Sequence, residues 1–144
     1  MPRFLLFDTS TAQCHVGLGV DGRLIVSRFM KESFKHAEVL TLLIEQCMQE
    51  ASWTYTSLDA VVITGGPGSY TGLRIGASVA KGICFASNTR LMALNTLQVM
   101  ATGYMLAHPT YQGVVVPMID ARRMEVFTAA YTHTGETIMP PAPL

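Results

Sequence analysis

The chain has 144 residues, balances 10 Lys and Arg against 10 Asp and Glu, and is 49% hydrophobic. This composition excludes intrinsic disorder, and a net charge of zero with a pI near 6.9 argues against a dedicated nucleic-acid-binding protein, which carries a basic excess. Only 14% of the residues are charged, against about a quarter in typical domains, and the mean hydropathy is +0.32. We therefore expect another protein to cover part of the surface.

The amino terminus lacks the pattern of a targeting segment. Its apolar run at residues 4–7 is too short for a signal peptide and is followed by Asp8. The charge-free stretch at 91–119 is interrupted by polar residues and does not supply the roughly 20 apolar residues of a membrane span. The three cysteines form no C-x-x-C pair and are expected to be free thiols. We therefore expect a cytoplasmic protein that does not bind membranes.

Three predicted strands precede an alternation of helices and strands. Apolar runs predict strands at residues 3–8, 14–20, 24–29, 60–64 and 91–94. Helical periodicity predicts helices at residues 36–51, 70–87 and 96–107. Asp21-Gly22 is a strong β-hairpin signal between the second and third strands. The order βββ-α-β-α-β-α predicts an α/β fold, with a mixed sheet and helices packed on it.

The residues after Pro109 repeat the pattern of the first strands. Residues 114–120 again form an apolar run that ends in an aspartate, and residues 124–131 mirror the second strand. We therefore predict two domains related by duplication, a complete one at 1–108 and the beginning of a second at 109–144. The second is predicted to contain only its first hairpin, because the proline-rich residues 139–144 cannot form a helix or a central strand.

The most distinctive motif is GGPGSYTGLRIG at residues 65–76. A strand, a glycine turn and a helix in succession direct backbone N–H groups toward a space that attracts phosphate or carboxylate. Ser69 is a candidate N-cap for the helix. The motif lacks the Lys-Ser or Lys-Thr of a Walker A loop and the third glycine of the dinucleotide fingerprint. Tight packing of strand on helix explains the glycines equally well, and both interpretations stay open.

A second candidate feature is the polar sequence after the first strand. Asp8, followed by Thr9 and Ser10, could hold a hydrated Mg²⁺ or orient a nucleotide phosphate, although the sequence favours a capped turn in which Asp8 accepts nearby N–H groups. The candidate anion- or nucleotide-binding residues are Asp8, Thr9, Ser10, Gly66, Gly68 and Ser69. We expect His36 to be a capping or surface histidine. Ser69, His36 and Asp8 could in principle form a catalytic triad, but any chain of this length contains such a set of residue types by chance. No catalytic residue and no metal site is predicted.

The helices at 36–51 and 70–87 are apolar on more sides than one buried face requires. In the second of them, small residues spaced four apart would let another helix approach closely, although each interior glycine costs about 1 kcal/mol of helix propensity. We therefore favour an interface over simple internal burial. The residues predicted to form the combined core and docking surface are Leu40, Leu43, Ile44, Gly72, Ile75, Gly76, Val79 and Ile83.

The motif at 65–76 resembles the signature of the bacterial TsaB (YeaZ) family, which works in tRNA threonylcarbamoyladenosine biosynthesis. Residues 8–11 (DTST), 36–38 (HAE) and 119–127 (IDARRMEVF) also resemble this family, in the same order along the chain. The resemblance implies an actin-like ATPase (ribonuclease H-like) fold with two duplicated halves. The family usually has a complete second domain, which this chain only begins.

The resemblance also implies a non-catalytic scaffold that docks on a TsaD-like catalytic subunit, joined by a TsaE-like ATPase. The apolar excess on both helices, together with the resemblance, leads us to expect a homodimer when the chain is alone. Because a basic footprint is missing, we expect contact with tRNA only through the complex. No cofactor is expected to be required, and ATP or ADP and Mg²⁺ could bind at the partner interface. TsaD-like proteins carry a metal-binding H-x-x-x-H, whereas residues 94–100 contain no histidine here. The family also has an older name, a glycoprotease or M22 peptidase-like protein, although nothing in this sequence supports proteolysis. The alternative from another functional class is an ATP-binding enzyme or M22-like peptidase acting through Asp8 and the Gly66 to Ser69 loop.

Overall fold

The computed structural model describes residues 1–31 and 36–144, which form two compact units. The first unit comprises Met1–Gly65 and Ser69–Ala93, and the second comprises Gly66–Gly68 and Leu94–Leu144. The units therefore divide near residue 94, whereas the sequence predicted a boundary after residue 108. The difference arises because the helix at 96–107 shares an apolar core with the strands that follow it.

The first unit is built on a five-stranded mixed sheet with the order β3-β2-β1-β4-β5. Its strands are β1 (Arg3–Asp8), β2 (Cys14–Val20), β3 (Arg23–Met30), β4 (Ala60–Gly66) and β5 (Arg90–Asn95). Strand β1 is central, because it pairs antiparallel with β2 and parallel with β4. Asp21 and Gly22 join β2 to β3 with φ values of 51° and 73°, the left-handed pair that a type I′ turn requires. The predicted α/β class is confirmed.

Two helices, α1 (His36–Glu50) and α2 (Tyr70–Ser87), pack in the core of this unit, and a 3₁₀ turn not predicted from the sequence lies at Tyr55–Ser57. The apolar stripe of α1 faces β2 and β3. Leu40, Leu43 and Ile44 are therefore buried, with exposures of 0%, 5% and 1%. Their predicted core role is confirmed, but side chains enclosed in this way cannot also line a docking surface, and that part of the prediction is wrong.

The small residues of α2 pack against the turn that follows β1 and not against another helix. Gly72 and Gly76 are buried, and a β-carbon at either position would overlap Thr9, at its carbonyl oxygen or its hydroxyl oxygen respectively. The two glycines permit the close approach of a turn and not of the predicted helix, and they belong to the interior and form no docking surface. The neighbouring Ile75, Val79 and Ile83 are partly buried against the core. A docking role for these three side chains stays a prediction.

The second unit contains α3 (Thr96–Ala107) and an antiparallel sheet of order β6-β7-β8. The strands are β6 (Met118–Arg122), β7 (Glu125–Tyr131) and β8 (Thr137–Pro143). The prediction that this part stops after one hairpin is wrong, because β8 pairs with β7. An edge strand tolerates proline because one of its sides has no hydrogen-bonded neighbour. The core of the unit consists of Leu97, Ala101, Val115, Ala129 and Tyr131.

Both units contain a three-stranded meander whose first strand ends in the same kind of turn. Asp8 Oδ1 accepts the N–H of Ser10 at 2.8 Å, and Asp120 Oδ1 accepts the N–H of Arg122 at 2.7 Å. These shared features support the predicted duplication. Among the described residues, no helix is both long enough and apolar enough to cross a membrane.

Candidate functional site at the turn after the first strand

The carboxylate of Asp8 is the centre of a compact hydrogen-bonded turn. Its Oδ1 atom accepts the N–H of Ser10 at 2.8 Å, the hydroxyl of Ser10 at 2.5 Å and the hydroxyl of Thr64 at 2.7 Å. Thr64 was missed from the sequence. Strands β1 and β4 are parallel, with Phe7 opposite Ile63, so the residues that follow these two strands reach the same edge of the sheet. Predicting this pairing from the sequence would have placed Thr64 beside Asp8.

Helix α2 holds the turn from the other side. The hydroxyl of Thr9 donates to the carbonyl oxygen of Gly72 at 2.7 Å, and the N–H of Ser69 donates to the carbonyl oxygen of Ser10 at 2.7 Å. Thr9 and Ser10 are each only 2% exposed. Both hydroxyls that were candidates for a ligand site therefore point into the protein and donate to other protein atoms.

Ser69 is the N-cap of α2, as predicted, and its hydroxyl accepts the N–H of Gly72 at 3.2 Å. The N–H of Leu73 bonds to the Ser69 carbonyl oxygen. The N–H of Ser69 donates to the carbonyl oxygen of Ser10, so three of the backbone donors at the start of α2 have protein acceptors. These hydrogen bonds support the interpretation of tight strand–helix packing, and the anion site stays a prediction.

His36 begins α1 and is 8% exposed, with its Nε2 atom 2.9 Å from the carbonyl oxygen of Thr11. It is buried and contacts the end of the same turn, so the surface alternative is wrong, whereas the capping alternative stays a prediction. Within residues 1–31 and 36–144, no hydrogen bond joins His36 to Asp8 or Ser69. The Ser–His–Asp trio is thus not assembled as a catalytic triad.

Four of the six predicted binding residues come together in the first unit, namely Asp8, Thr9, Ser10 and Ser69. Gly66 and Gly68 belong to the second unit, where the Gly66–Pro67 peptide bond is cis and Gly66 has a φ of 114°. A residue with a side chain rarely adopts that φ, which explains the glycine at position 66.

Most of the polar groups in the turn already bond to other protein atoms. Cations bind carboxylate and hydroxyl oxygens. Asp8 Oδ1 already accepts three hydrogen bonds and the Thr9 and Ser10 hydroxyls donate inward, whereas no hydrogen bond among the described residues ends on Asp8 Oδ2, so a cation site there stays a prediction. In the described part of the chain, no group of three or more His, Cys, Asp or Glu side chains could hold a metal ion. Hydrogen bonds from the turn join β1 to β4 and α2.

The Cys14 thiol, which is affected by the charge of Asp8, is also unsuited to nucleophilic chemistry. Burial, with a smaller contribution from the negative charge of Asp8, raises the pKa of Cys14 to about 11. The thiolate is the reactive form of cysteine, so this side chain is protonated and inert at neutral pH.

Comparison with known proteins places the chain in a family. Residues 31–142 match the model of the TsaD family, tRNA N6-adenosine threonylcarbamoyltransferase. The chain is 30% identical over 129 residues to the Escherichia coli protein TsaB, tRNA threonylcarbamoyladenosine biosynthesis protein, covering 90% of this chain and 54% of that protein. The chain belongs to the TsaD family and, within it, to the TsaB (YeaZ) group. It spans about half the length of the curated relatives that it matches.

Solved structures of the same group share the fold. A Pseudomonas aeruginosa protein described as similar to the peptidase YEAZ superposes with a TM-score of 0.89 at 31% identity, covering 100% of this chain and 67% of that one. YeaZ from Pseudomonas aeruginosa superposes with a TM-score of 0.84 at 30% identity, covering 100% of this chain and 66% of that one. The chain therefore has the YeaZ fold, and the predicted actin-like ATPase type of α/β fold is confirmed.

Proposed function

We propose that this protein is a non-catalytic subunit in the formation of threonylcarbamoyladenosine in tRNA, and that it docks on a TsaD-like catalytic subunit. The observation that carries this proposal is the match of the whole chain to a YeaZ-like structure at a TM-score of 0.89. The curated relatives of the same group are named for this biosynthetic process.

The geometry of the Asp8 turn supports a role without catalysis by this chain. Its polar groups bond to one another, and the Ser69 hydroxyl is occupied as a helix cap. The alternative function, an ATP-binding enzyme or peptidase acting through this turn and the Gly66 to Ser69 loop, needs a free carboxylate or a paired nucleophile and base. Among the described residues, the Ser69 hydroxyl bonds to the N–H of Gly72 and His36 bonds to the carbonyl oxygen of Thr11, so their hydrogen bonds do not pair a nucleophile with a base.

Exposed apolar side chains on the two helices of the first unit support docking. Leu42 on α1 is 50% exposed and Phe85 on α2 is 93% exposed, and the two helices contact each other. Exposing side chains of this size to water is unfavourable by about 25 cal/mol per Å² of apolar surface. Covering them with an apolar face of a partner would recover that free energy.

The remaining parts of the proposal concern the assembly. A TsaE-like ATPase joins the complex, ATP or ADP and Mg²⁺ are held where the subunits meet, and tRNA is contacted through the catalytic partner. Without a partner, two copies of this chain form a homodimer. The neutral charge of the chain supports an indirect contact with RNA, since direct binding to phosphates needs clustered cations. The site of action is the cytoplasm.

A reconstituted tRNA-modification reaction tests the proposal. It would contain the TsaD-like and TsaE-like proteins of the same cell, the threonylcarbamoyl donor and tRNA, with or without this chain. We expect modified adenosine only when the chain is present, and no ATP turnover by the chain alone. An equal rate of modification without the chain, or ATP hydrolysis by the purified chain, would contradict the proposal.

The docking surface is tested with charged variants. Leu42→Glu and Phe85→Glu are expected to weaken binding to the TsaD-like protein at least tenfold in calorimetry, because a carboxylate would be buried against an apolar face. Leu106→Glu on α3 is the matched control, since Leu106 is 78% exposed and lies in the second unit. If all three variants bind as the parent does, the docking surface lies elsewhere.

A further inference from the structure

We draw no further inference here: the strongest candidate, the apolar cavity of the second unit between α3 and the segment before β6, which is lined by Met100, Tyr104, Tyr111 and residues 114–117, carries nothing because nothing among the residues that the structure describes shows what covers it.

Discussion

Replacing Gly72 with alanine perturbs the closest approach between α2 and the turn after β1. A β-carbon at position 72 would overlap the carbonyl oxygen of Thr9. This oxygen belongs to the backbone and cannot rotate away as a side chain would. The turn is also held by the bonds of Asp8 to Ser10 and Thr64, so any shift of Thr9 disturbs several hydrogen bonds at once.

Two opposing effects determine the size of the change. Alanine is favoured over glycine in a helix by about 1 kcal/mol. Overpacking a well-packed site costs about 1–3 kcal/mol, and stretching the hydrogen bond from Thr9 to the Gly72 carbonyl oxygen adds about 1 kcal/mol. We therefore expect Gly72→Ala to lower the free energy of unfolding by about 2 kcal/mol.

Urea denaturation followed by Trp53 fluorescence measures this value, because the single tryptophan lies in the first unit with the Arg3 guanidinium over its ring. Gly82→Ala is the matched control in the same helix, since a β-carbon there would have no atom within 4 Å. We expect the control to be more stable than the parent by about 0.5–1 kcal/mol. If Gly72→Ala were as stable as Gly82→Ala, the close packing inferred for this turn would be refuted.

Two further predictions concern the same unit. Asp8→Asn replaces a charged acceptor of three hydrogen bonds by an amide. We expect it to lower the free energy of unfolding by about 1.5–3 kcal/mol in the same urea titration. A decrease of less than about 0.5 kcal/mol would show that the carboxylate is not the centre of the turn. Burial raises the pKa of Cys14 from 9.0 to about 11 in the folded chain. Between these values the unfolded chain loses the thiol proton while the folded chain keeps it, so the free energy of unfolding should fall as the pH rises from 9 to 11. Cys14→Ala should make this fall less steep, and an unchanged slope would contradict the assignment to Cys14.

The local elements of this protein were predictable from the sequence. Helix α2 begins and ends where the periodicity placed it, and Ser69 caps it as expected. Asp21-Gly22 forms the predicted turn between β2 and β3. Such features depend on residues close together in the chain, through backbone conformation, capping and the spacing of apolar side chains. The same kind of local pattern predicted a capped turn at Asp8.

Features that join distant parts of the chain were decided by the tertiary structure alone. The wide stripe of α1 was interpreted as partly a docking surface, yet the sheet and α2 bury Leu40, Leu43 and Ile44. The partner of Gly72 and Gly76 is Thr9, which lies more than 60 residues earlier in the chain. The role of Thr64 in the Asp8 turn likewise follows from the parallel register of β1 and β4.

Strand β8 is another element that the local sequence did not predict. Its prolines argue against a strand locally, but they are tolerated because β8 lies at the edge of its sheet. Position within a sheet is a property of the whole unit and has no local signature. The sequence by itself thus determined the order and type of most elements and the chemistry of their turns. Only the tertiary structure decided which apolar faces are enclosed and which polar groups bond to one another, because burial and hydrogen bonding depend on neighbours that are remote in the chain.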